Sequence, residues 1–116
     1  MKLRLTAKSV RLRLTQPEVK TLGETGSLEE CIPLAPEALR IRLQSAHTPG
    51  PAASFNGREL TVELPAGDVA AWSASEQVGI EGDCRGVRIL VEKDFECLHP
   101  ADPEENTNTY PNPASR

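Results

Sequence analysis

Aromatic side chains are scarce: two Phe, one Trp and one Tyr make up 3% of 116 residues. Leu, Val and Ile must then build most of any core. A surface that stacks bases on rings has little to stack with, and a net charge of −4 opposes polyanion binding by the chain as a whole. Nucleic acid is therefore disfavoured as a partner. Long apolar runs are also missing. No stretch approaches the roughly 18–20 residues of a membrane-spanning helix, so no membrane partner is expected. The first eight residues alternate charged and apolar side chains, whereas a secretory leader needs an unbroken apolar stretch after its basic start. The expected location is cytoplasmic. Cysteine is sparse and odd in number: Cys31, Cys84 and Cys97 have no motif spacing. That suits a reducing compartment better than a disulfide framework. A phosphate-binding glycine loop, a paired-cysteine zinc pattern and a nucleophile elbow are all absent, and no cofactor is expected.

What the chain has in quantity is period-two alternation. Leu3 and Leu5 alternate with Lys2, Arg4 and Thr6, and Val10, Leu12 and Leu14 with Arg11 and Arg13. The same holds for Leu39, Ile41 and Leu43 against Arg40, Arg42 and Gln44, and for Leu60, Val62 and Leu64 against Glu59, Thr61 and Glu63. Such alternation puts one set of side chains inward and the other outward from a strand. Further strands are predicted near 28–33, 52–55, 78–81 and 87–92. Two short helices fit between strands. Thr15 with Pro17 and Glu18 supplies a capping hydroxyl, an early proline and an acid near the positive end of the helix dipole. Val19 and Leu22 would face the core, with Gly23 or Gly26 as the stop. Later, Val69 and Trp72 share a helix face. The fold class this predicts is α+β, predominantly antiparallel β, barrel-like or sandwich, with two short helices. Closure into a barrel would hide the strand edges.

A shift of 50 residues without a gap lays Val10, Leu12, Leu14, Val19, Leu22 and Leu28 on Leu60, Val62, Leu64, Val69, Trp72 and Val78. Leu39 and Ile41 fall on Ile89 and Val91. The implied unit is a ββαββ segment present twice. The predicted organisation is one β-rich domain over 1–99, with an internal repeat of 1–50 and 51–99, and an acidic Pro/Asn-rich tail over 100–116. The tail carries Asp102, Glu104, Glu105 and Tyr110, and could lie against a basic face and gate it.

Charge is unevenly placed. Residues 1–50 carry a net of about +3 and residues 51–100 about −5. Lys2, Arg4, Arg11, Arg13, Arg40 and Arg42 sit at outward strand positions. If their strands are neighbours, they form one basic sheet face. Arg4, Arg11, Arg13, Arg40 and Arg42 are the candidate ligand-binding residues, and a small anionic ligand or an unknown protein is the expected partner. The opposing expectation is a solvated face balanced by Glu29, Glu59 or Glu63. No catalytic residue is assigned, and the preferred function is a non-enzymatic binding module. The alternative is a small metal- or thiol-dependent protein using Cys97, His99 and Asp94. Cys97 and His99 supply only two good metal ligands, short of a structural site.

The opening Met1-Lys2-Leu3-Arg4-Leu5, the following Ser9-Val10-Arg11-Leu12-Arg13-Leu14-Thr15 with Glu18-Val19, the segment Val91-Glu92-Lys93-Asp94-Phe95-Glu96-Cys97-Leu98 and the ending Tyr110-Pro111-Asn112-Pro113 together resemble a family of small bacterial proteins of unknown function. Gln77-Val78-Gly79-Ile80 fits it too. The resemblance transfers no catalytic role. It implies that Lys93, Asp94, Phe95 and Cys97, with Tyr110, Pro111, Asn112 and Pro113, form an interaction motif. His99 is outside that pattern.

Overall fold

The computed structural model describes residues 1–94. Ten elements follow one another: β1 (Lys2–Thr6), β2 (Ser9–Leu14), α1 (Gln16–Thr25), β3 (Ser27–Ile32), β4 (Leu39–Ala46), β5 (Ala52–Phe55), β6 (Glu59–Pro65), α2 (Ala66–Ser73), β7 (Gly79–Cys84) and β8 (Val87–Lys93). The strands form two four-stranded sheets, ordered β1-β2-β8-β7 and β3-β4-β6-β5. Each is open, so the expected barrel closure does not occur. Each is also mixed. The outer pairs are antiparallel, but β2 runs parallel to β8 and β4 parallel to β6.

The alternation does what strand geometry requires. Val10, Leu12 and Leu14 of β2 are buried, while Arg11 and Arg13 between them are half-exposed. One core gathers these residues with Ile41, Leu43, Val62, Leu64, Ile80, Ile89 and Val91 of the other strands and Val19, Leu22, Val69 and Trp72 of the helices. Trp72 needs a partner for its ring N–H and finds the Val78 carbonyl at 3.1 Å. Helix α1 starts at Thr15, whose amide and hydroxyl both donate to Glu18 Oε1, at 2.9 and 3.0 Å. It ends at Gly26, whose positive φ of 84° lets its N–H return to the Leu22 carbonyl at 2.9 Å.

Exchanging the halves of the chain maps one sheet order onto the other: β1-β2-β8-β7 becomes β5-β6-β4-β3. Each sheet therefore combines the first hairpin of one half with the last hairpin of the other. The correspondence is not one rigid shift. It is 50 residues through β1, β2 and the buried helix positions. Matching registers then make Leu28 equivalent to Ile80 and Leu43 to Val91. Leu28 therefore does not correspond to Val78, which is exposed. Ile41, not Leu39, matches Ile89. The cause is loop length. Residues 33–38 join β3 to β4, whereas only Arg85 and Gly86, both at positive φ, join β7 to β8.

Candidate functional site

The outer face of the first sheet can be assembled from its registers. Across β1 and β2, Lys2 lies opposite Arg13 and Arg4 opposite Arg11. Like charges directly opposite on adjacent strands repel. Here two such pairs stand side by side. Continuing onto β8, Arg13 lies beside Glu92 and Arg11 beside Leu90. Glu92 clasps both arginines through one oxygen. Its Oε1 accepts from Arg11 Nε at 2.7 Å and from Arg13 Nε at 2.9 Å. Lys2 Nζ sits 3.0 Å from Asp94 Oδ2. Arg4 has no hydrogen bond or ion pair among the described residues. Lys2, Leu3, Arg4, Arg11 and Arg13 line a pocket of about 150 Å³. Four cations thus face two carboxylates.

The expected single basic face is divided. Arg40 and Arg42 belong to β4, in the other sheet, so the structure does not bring them to Arg4, Arg11 and Arg13. On their sheet Arg42 is paired across strands, whereas Arg40 has no ion pair among the described residues. Arg42 pairs with Glu29 from β3, and its Nε lies 3.6 Å from Glu59 of β6. Arg40 lies opposite Glu59 and Cys31. Cys31 is exposed on an edge strand, and Cys84 closes β7 half-buried.

Two residues of the expected interaction motif are described, and both are buried. Lys93 is 5% exposed and Asp94 is 2% exposed. Lys93 Nζ donates to the Ser75 carbonyl at 2.6 Å and lies 6.0 Å from the Trp72 ring centroid. Burial pushes its ammonium below the ordinary lysine value, with Glu76 pulling the other way. Asp94 N–H donates to the Leu14 carbonyl at 2.8 Å, which ties the end of β8 to β2. Phe95, Cys97, His99, Tyr110, Pro111, Asn112 and Pro113 lie outside the described residues, as does the acidic tail. Among the described residues, no group of three or more His, Cys, Asp or Glu side chains is placed to hold a metal ion. No helix among them is long and apolar enough to cross a membrane.

Glu92 and Asp94 as counter-ions of the basic corner escaped the sequence reading of the face. Glu92 has the right outward parity, but nothing local says that β8 runs beside β2.

The match that decides the chain's affiliation covers residues 1–114. The chain belongs to the family of unknown function DUF7009. No curated protein and no solved structure matches it. Membership agrees with the resemblance drawn from the two ends of the sequence. The family carries no activity to assign to the basic corner.

Proposed function

We propose that this member of the family is a non-enzymatic binding module whose binding surface is the basic corner of β1 and β2, taking an anionic ligand. One observation carries the reading. The corner has an internal twin, built by the same hairpin of the second half in the same register. There Ala52 lies opposite Glu63 and Ser54 opposite Thr61, where the first half has Lys2 with Arg13 and Arg4 with Arg11. Gln44 holds the place of Glu92 and donates to Glu63 at 3.1 Å. The hairpin therefore folds without cations at these positions. Two repulsive cross-strand pairs are not a requirement of the architecture, and a ligand that neutralises them is the use they support.

The twin also supplies the test. Its residues are grafted onto the first hairpin as Lys2→Ala, Arg4→Ser, Arg11→Thr, Arg13→Glu and Glu92→Gln together. Binding of tripolyphosphate by isothermal titration calorimetry is compared with the unaltered chain, with circular dichroism to check the fold. The expected result is a folded variant whose binding falls at least tenfold. Equal binding by a folded variant, or no binding by the unaltered chain, would overturn the reading.

A further inference from the structure

We infer that the ligand group read by the basic corner is a tetrahedral dianion, the terminal phosphate of a phosphate monoester. This rests on the anion-binding reading above and narrows it by charge, size and donor geometry.

Charge comes first. Lys2, Arg4, Arg11 and Arg13 face Glu92 and Asp94, which leaves two positive charges unmatched among the described residues. A monoanion would neutralise half of that excess, and a dianion neutralises all of it. Next is size. A pocket of about 150 Å³ has room for roughly five waters at about 30 Å³ each. Sites that enclose a drug-sized molecule run from about 300 to 1,000 Å³. The corner therefore receives a charged head group while its carrier stays outside.

Donor geometry favours phosphate over carboxylate. Arg11 and Arg13 both spend Nε on Glu92 Oε1. The terminal amines of Arg13 and the whole guanidinium fork of Arg4 remain for a ligand. A fork addresses two oxygens at once. A monoester phosphate offers three terminal oxygens, so the Arg4 fork can take two and leave the third for the Arg13 terminal amines and the Lys2 ammonium. A carboxylate offers two in one plane.

The pH dependence follows from the ligand. The groups facing the corner are Lys2, Arg4, Arg11 and Arg13 from β1 and β2, and Glu92 and Asp94 from β8 and its end. Further along the face, Glu81 pairs with Arg88. None of them is an imidazole. A phosphate monoester gains its second charge near pH 6. Sulfate is already a dianion throughout that range.

The test measures affinities of the full chain for glycerol phosphate, sulfate and acetate at about pH 5 and 7.5. The second ionisation predicts about a tenfold gain for glycerol phosphate between the two. Sulfate should change less than twofold, and acetate should bind at least tenfold more weakly than glycerol phosphate at the higher pH. Arg4→Ser, at an exposed position without a described partner, should weaken glycerol phosphate at least tenfold without lowering the melting temperature, since it removes one repulsive cross-strand pair. A neutral peptide with one phosphoserine serves as the macromolecular source of the same group. Binding of either carrier with this pH profile supports the inference, and the tighter one identifies the source. Acetate binding as well as glycerol phosphate, or a flat phosphate profile, would overturn the dianion while leaving an anion site. Failure of every probe, tripolyphosphate included, would overturn both.

Discussion

At the scale of single residues, Glu18 shows how one carboxylate can hold several parts of the chain. Its Oε1 accepts from the Thr15 amide and hydroxyl, and its Oε2 accepts from the Met1 α-ammonium at 2.6 Å. Burial alone would raise its pKa. The hydrogen bonds and the nearby positive charge together outweigh burial and leave it below the usual glutamate value. A depressed carboxylate stabilises the fold above its unfolded pKa, and that contribution is lost as pH falls through the folded value. Glu18→Gln should therefore be less stable than the unaltered chain at neutral pH. The gap should close on acidification below about pH 4.5, the ordinary value of the free side chain. Urea unfolding across pH 3 to 7 checks this. A gap that persists undiminished at about pH 3 would mean that the lost contact is not one made by the ionised carboxylate. Thr15 and Glu18 were legible as a helix start because capping is local chemistry. The Met1 contact was not, since it depends on where β1 lies.

At the scale of elements, most of the structure was readable and its neighbours were not. The strands were located within a residue or two, except that β7 runs three residues past its expected end, to Cys84, and the pair Val69 and Trp72 marked α2. Strand pairing is long-range, and a period of two is blind to which strand lies alongside. This is why Arg40 and Arg42 were grouped with Arg4, Arg11 and Arg13 in one expected face, although β4 is in the other sheet. It also explains the misplaced end of the repeat. Shifts of 48, 50 and 52 preserve inward parity equally well, so only loop lengths distinguish them. The helix ends differ between the halves too. α1 stops at Gly26 in the left-handed region, whereas Ala74 after α2 has a φ of −98°. An added Cβ at Gly26 would also meet Ser45 Oγ at 3.1 Å. Gly26→Ala should cost about 1–2 kcal/mol, the left-handed penalty of an L-residue, measured by chemical denaturation. No loss would mean that α1 can end another way.

At the scale of the whole molecule, the two halves build one core, and each sheet borrows a hairpin from either half. We propose that the halves arose by duplication, supported by the exchange of sheet orders and the matched buried positions. Two corners of the same construction then differ in charge: one has Lys2, Arg4, Arg11 and Arg13, the other Ala52, Ser54, Thr61 and Glu63. This sidedness is what the functional proposal depends on. It is tested most directly by following arginine Nε–H signals and backbone amides by NMR while tripolyphosphate is added. The account predicts shifts concentrated at Arg4, Arg11 and Arg13 and along β1 and β2, with Arg40, Arg42 and residues 52–63 unmoved. Shifts centred on Arg40 and Arg42, or spread evenly over both sheets, would contradict it.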